Sequence, residues 1–220
     1  MACWQPVSAQ GETEQLALKL TATCTSEKEK VTGIFRWITD HIAYRTRRDR
    51  IPVIGAASRR FSRMKPDTDT GALKPLNERV AEMVLASRLA LCDGYARLFT
   101  ALCTYAGIPS EVIVGYARSQ GNKPGPTFGV NHYWNAVFFD GRWHLLDATW
   151  ASGYVARNGM DFVRDFDGFY FLTDPALFIR DHFPDDPRWT LLTDQAVPEE
   201  FRYTPFKQKS FVKYSIRCYT

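Results

Sequence analysis

Asn131-His132-Tyr133-Trp134-Asn135-Ala136-Val137-Phe138-Phe139-Asp140-Gly141-Arg142-Trp143-His144-Leu145-Leu146-Asp147-Ala148-Thr149-Trp150 consists of two β-rich runs, 130–139 and 142–149, broken by Asp-Gly. Asp-Gly between such runs is a strong signal for a two-residue hairpin turn. Pairing Phe139 with Arg142 then sets the whole register. His132 falls opposite Thr149, and Trp134 falls opposite Asp147. Side chains alternate faces with period two, so His132, Trp134, Ala136 and Phe138 share a face with Trp143, Leu145, Asp147 and Thr149. His132 and Asp147 become diagonal neighbours, as a base and its orienting carboxylate must be. The same parity places His144 on the opposite face, in a structural role.

That face is otherwise apolar and aromatic, so it is expected to bury against a helix. The chain supplies one in Leu91-Cys92-Asp93-Gly94-Tyr95-Ala96-Arg97-Leu98-Phe99. Tyr95, Leu98, Phe99, Leu102 and Ala106 form an apolar stripe over Asp93 to Ala106, ended by Gly107 and Pro109. Cys92 therefore sits at a helix N-terminus. A thiol becomes a strong nucleophile only where something lowers its pKa from about 8.5, and a helix N-terminus beside an imidazolium does so. A lone buried cysteine is usually inert, as Cys103 in mid-helix is expected to be. What raises Cys92 above that reading is its conjunction with a histidine and an aspartate placed side by side by an independent argument. Asp93 is ambiguous, favourable to the helix dipole but repulsive to a thiolate.

Outward from this centre, Ser26 and Glu29 have capping-box spacing, followed by Val31, Ile34, Phe35, Ile38 and Ile42 on one helical face. Residues 45–75 lack a period and read as a long connection, often a functional feature. Asn77 is expected to cap a helix with Val80, Met83, Val84 and Leu89 inward. Glu111 to Ala117 reads as a strand, 119–129 as a Gly/Pro loop bordering the site, and Phe169 to Leu172 as another strand. Asp174-Pro175 opens a short helix to about Arg180. Phe211 to Tyr219 has strand character. The expected organisation is a partly ordered lead-in (1–25), one domain (26–192) and a C-terminal extension (193–220).

With 220 residues, 45% hydrophobic and 14% aromatic, the chain has material for a packed core, and its net charge of +4 is mild. Arg45, Arg47, Arg48 and Arg50 lack the interleaved aromatics of a nucleic-acid site and read as a solvated loop. No apolar run matches a membrane span, and no signal-peptide pattern opens the chain. A cytoplasmic location is the expectation; a secreted or periplasmic one requires an export signal absent from the sequence as given. Five scattered cysteines favour free thiols over a disulfide scaffold. There is no metal-ligand spacing and no phosphate-cradling glycine motif.

Cys92-Asp93-Gly94-Tyr95-Ala96, His132-Tyr133-Trp134-Asn135-Ala136-Val137 and Asp140 through Trp150 together resemble the transglutaminase-like superfamily. Phe169 to Thr173 and His182 through Trp189 resemble the extension of its kyphoscoliosis-peptidase-like group, and the resemblance spans roughly residues 28–192. It implies an α+β, papain-like core with the cysteine helix packed on an antiparallel sheet. It also implies a Cys-His-Asp triad at Cys92, His132 and Asp147. The implied activity is cofactor-independent acyl transfer from a peptide or protein amide through a thioester, released to water or to an amine. Trp134, Trp150 and Tyr154 are candidates for lining the substrate groove, although aromatic residues beside a sheet are more often core. No glutamine lies between residues 16 and 91 to serve as an oxyanion donor, which leaves Asn77 as a weak candidate. The alternative, from a different class, is a non-catalytic protein-interaction module that keeps the fold, against which the intact Cys, His and Asp argue.

Overall fold

The computed structural model describes residues 11–50, 74–118 and 129–193. A helical layer is built by α1 (Glu12–Thr21), α2 (Glu27–His41), α3 (Leu76–Ser87) and α4 (Cys92–Tyr105). Between α2 and α4, β1 (Ala43–Tyr44) and β2 (Leu89–Ala90) pair in parallel. The main sheet contains β3 (Ser110–Ala117), β4 (His132–Phe139) and β5 (Arg142–Leu146). After it come α5 (Ala148–Ser152), the antiparallel pair β6 (Gly153–Val155) and β7 (Phe162–Arg164), α6 (Pro175–Phe178) and β8 (His182–Pro184). The sheet order is β5-β4-β3-β8, and every neighbouring pair is antiparallel.

Ser26 caps α2 through Glu29 N–H at 3.2 Å. Glu29 reaches back one residue further than the usual box, accepting from the N–H and hydroxyl of Thr25. Val31, Ile34, Phe35 and Ile38 are fully buried in the core that also holds Tyr95, Leu98, Phe99 and Leu102 of α4. Gly107, at φ +75°, ends α4, and Ile108 N–H returns to Cys103 C=O.

Several expectations need correction. A helix, α1, occupies a stretch without an evident period; it buries only Thr13 and Ala17, whose short side chains leave a faint stripe. Pro75, not Asn77, stands at the cap of α3. Its buried arc centres on Ala81 and Val84, which turns Met83 outward to 63% exposure. Residues 168–170 form a 3-10 turn in place of the Phe169–Leu172 strand, because the Asp167 carboxylate captures Phe169 N–H. The Asp174 cap and Pro175 start of α6 are as expected, with Asp174 Oδ1 accepting from Ala176 N–H at 2.8 Å. The arginine run is exposed at Arg45, Arg47 and Arg48, and Arg48 pairs with Asp161 at 2.8 Å. Most of the long connection (51–73), the loop 119–128 and the C-terminal strand lie outside the described residues.

Candidate active site

Asp140 and Gly141 both take positive φ, +50° and +74°, as a two-residue turn of mirror-image type demands. The register then runs Phe139↔Arg142 to Asn135↔Leu146, as the Asp-Gly position dictates. The ladder stops there, so Thr149 does not pair with His132. Asp147 keeps an extended backbone (φ −132°, ψ 99°), but its Oδ1 accepts from Thr149 and Trp150 N–H, which turns the chain into α5. Because Asp147 itself stays extended, its carboxylate remains on the face of His132. Asp147 Oδ2 lies 2.7 Å from His132 Nε2.

α4 packs on the opposite face from the one expected. Asn135, one residue out of phase with His132 and Trp134, donates to Ala96 C=O and Thr100 Oγ1 of α4, each at 3.0 Å. The His132 and Trp134 face meets an aromatic layer of Trp150, Tyr170 and Phe178 instead. Cys92, at the first turn of α4, nevertheless acts on the imidazole, adding to the upward shift of its pKa. With Nε2 committed to Asp147, Nδ1 is the ring atom left for the thiol. Gly94 lets the start of α4 pack closely on β2 and α3: a Cβ there would lie 2.9 Å from Ala90 Cβ and 3.0 Å from Val84 Cγ2. Cys92 is half-buried, whereas Cys103 is fully buried and burial pushes its thiol well up. Asp93 is taken up by Arg97 at 2.7 Å, and Arg97 also binds Asn77 Oδ1.

Burial opposes charge on His132. The Asp147 carboxylate, by charge and by hydrogen bond, together with Cys92, outweighs it and raises the imidazole to about 9. Burial likewise opposes charge on Asp147, yet His132 and then His182 hold it well below the usual carboxylate range.

His182 is the residue that sequence reasoning missed. Its Nε2 lies 3.1 Å from the same Asp147 Oδ2, and its Nδ1 lies 2.6 Å from Asp181 Oδ1. Tyr170 donates its hydroxyl to Asp181 Oδ2 at 2.9 Å. Among the described residues, His132, Asp147 and His182 are the group whose ligand atoms converge as a metal site requires, within 4.8 Å of one another. Their spacings are those of two hydrogen bonds into one carboxylate oxygen, which account for the cluster.

Of the groove candidates, Trp134 is 1% exposed, its indole lying over Gly115, so it belongs to the core. Trp150 is half-buried, with its ring 5.3 Å from His132 and 4.6 Å from His182. Tyr154 is exposed on β6. His144 stacks on Phe139 at 4.0 Å, and burial lowers its pKa, in keeping with a structural role.

A helix presenting a thiol at its first turn, laid on an antiparallel sheet whose hairpin presents an imidazole and a carboxylate, defines the papain-like class of α+β folds in its transglutaminase-like form. The chain belongs to the transglutaminase-like superfamily, whose sequence profile matches residues 14–148. It is 35% identical over 207 residues to the kyphoscoliosis peptidase of Homo sapiens, covering 93% of this chain and 28% of that protein. It is 30% identical over 215 residues to Hillarin of Drosophila melanogaster, covering 91% of this chain and 23% of that protein. The chain thus spans about a quarter of the length of these relatives. Among solved structures, the periplasmic domain of TgpA from Pseudomonas aeruginosa is 18% identical, with a TM-score of 0.43 over 67% of this chain and 45% of that one. No helix among the described residues is long and apolar enough to cross a membrane.

Proposed function

We propose that the chain is a cysteine-dependent enzyme acting on peptide or protein amides through a thioester, with Cys92 as nucleophile, His132 as base and Asp147 as the orienting carboxylate. The observation that carries this reading is the position of His132, held by Asp147 on Nε2 at 2.7 Å, with Cys92 at the first turn of α4 helping to raise the pKa of the same ring. His132 already carries the proton of the Cys92 thiol, and the sulfur attacks the amide carbon. The oxyanion is met by the Cys92 backbone N–H at the start of α4. Collapse breaks the C–N bond, and the departing amine takes the proton from His132. Water or an acceptor amine then attacks the thioester, with His132 again removing its proton. Trp150, beside His132, and Tyr154, exposed on β6, are the proposed substrate contacts.

The test is a thiol-directed covalent probe, followed by site mapping and by turnover of peptide amides with and without an amine acceptor. Labelling at Cys92 that is lost on unfolding and reduced by His132→Ala supports the enzyme. Cys92 labelling unchanged by His132→Ala, with no turnover, favours a binding module built on the same fold.

A further inference from the structure

The aromatic layer under the hairpin encloses a charge. His182 is 1% exposed, and its ring is surrounded by Phe178 (stacked, 4.3 Å), Trp150 (4.6 Å), Trp134 (5.1 Å, edge-on) and Tyr170 (5.6 Å). Both of its nitrogens face carboxylate oxygens, Asp147 at 3.1 Å and Asp181 at 2.6 Å. An ionised carboxylate only accepts, and a neutral imidazole has a single N–H, so two such contacts require both nitrogens to donate. Neither carboxylate needs a proton of its own. Asp147 also receives His132 Nε2 and two backbone N–H groups, and Asp181 receives the Tyr170 hydroxyl. The ring is an imidazolium, and aromatic faces around a desolvated cation favour it further.

Resting on the reading of Cys92, His132 and Asp147 given above, and deepening it, we infer that His182, held by Asp181 and Tyr170, is a positioning residue for the site: a buried cation that fixes the Asp147 carboxylate and tempers its pull on the His132 proton. The backbone places it there. β8 pairs with the edge of β3, Ala117 opposite His182 and Gly115 opposite Pro184, and Gly115 in turn lies opposite His132 on β4. One strand therefore sets the spacing between the two imidazoles, whose centroids are 5.5 Å apart.

The charged groups acting on His182 are Asp181 and Asp147; Tyr170 and His132 are its other titratable neighbours. Burial opposes its charge, and Asp181 followed by Asp147 overcomes that opposition, which raises its pKa. A positive charge on the far side of Asp147 shares the carboxylate with His132. Without it, Asp147 would hold the His132 proton more tightly and the imidazole would return it less readily to a leaving amine.

The test is histidine titration by NMR on the full chain labelled at the ring carbon. The chain has four histidines, His41, His132, His144 and His182, which allows assignment by single His→Gln variants. His182 is expected to titrate above the ordinary imidazole range, raised by Asp181 and Asp147 against burial. In Asp181→Asn, its midpoint should fall by about one pH unit or more, and that of His132 should rise by roughly half a unit to one unit. Asp181→Glu should restore both, a rescue that a merely structural role does not predict. Should Asp181→Asn not fold, His182→Gln, which keeps a donor to Asp147 without the charge, carries the same upward His132 shift. A His182 that titrates near 6.5 in the unsubstituted protein, or a His132 midpoint unmoved by these variants, overturns the inference. The catalytic reading fails separately, on a Cys92 alkylation rate that His132→Ala leaves unchanged.

Discussion

Asp147 and His132 are joined at 2.7 Å through Oδ2, while the other carboxylate oxygen, Oδ1, holds the first turn of α5. One side chain thus ends a strand, starts a helix and orients an imidazole. The two oxygens allow these roles to be separated.

Asp147→Asn can keep the cap through its carbonyl oxygen but presents an N–H₂ group to His132 Nε2. That reverses the hydrogen bond and puts the N–H of the ring on Nδ1, facing the thiol, so His132 no longer accepts its proton. The expected loss in kcat is about 10³ to 10⁴, the scale seen when the orienting carboxylate of a triad becomes an amide. Asp147→Ala removes the cap as well, adding about 1 kcal/mol of destabilisation. Turnover and denaturant unfolding of the two variants check this; equal stability in both would deny the cap its role.

Reactivity separates the thiols without knowledge of the substrate. Cys92 is half-buried beside His132, whereas Cys103 is 0% exposed in the core, and its burial penalises the thiolate. With iodoacetamide near neutral pH, mass spectrometry should find Cys92 modified at least about tenfold faster than Cys103. His132→Ala should slow Cys92 and leave Cys103 unmodified until the protein unfolds. Comparable labelling of both in the folded chain would refute the assignment.

The hairpin and its register were legible because Asp140-Gly141 fixes one pair, and period-two alternation carries that pair to His132 and Asp147. The start of α4 was legible from its apolar stripe. His182 was not, since its meaning depends on β8 pairing with β3, a contact between segments some seventy residues apart that no local pattern announces. The face of β4 that meets α4 was misread for a related reason. Hydrophobicity marks His132, Trp134 and Ala136 for burial, but the Asn135 amide, which donates to Ala96 C=O and Thr100 Oγ1, is anchored to α4 from the other face. Phe169 to Leu172 has strand composition, yet a single Asp167 side-chain bond and a left-handed Leu172 (φ +53°) break it.

Gly115 links the sheet to the site. An added Cβ would meet Phe183 C=O at 2.3 Å and the Trp134 indole at 2.4 Å, and the first of these is backbone that cannot rotate away. Gly115→Ala should therefore cost about 1–3 kcal/mol, the range for overpacking, and push β8, with His182, away from β4. Gly129→Ala, where a Cβ meets nothing within 4 Å, should be near neutral. Thermal unfolding of the two variants gives the comparison, and a Gly115→Ala protein of unchanged Tm would contradict the packing described.

The buried pair also sets a pH window for stability. His132 is raised from 6.5 to about 9 in the folded protein, burial opposing the shift and Asp147 driving it. A group with a raised folded pKa contributes its full stabilisation below its unfolded value and loses it as pH climbs through the folded one. His132 therefore stabilises fully below about 6.5, and that contribution falls away as pH rises toward and past about 9. Asp147 has the opposite sign: its pKa is lowered from 3.8, so its contribution is present above that value and declines as pH falls below it. Unfolding free energy should thus fall on the alkaline side by an amount on the order of 3 kcal/mol assignable to His132. In His132→Ala that alkaline loss should disappear, so the two proteins differ less in stability at about pH 10 than at about pH 6. Urea unfolding at both pH values measures it. A gap between them that stays constant, or widens with pH, would show that His132 is not held as a cation by Asp147.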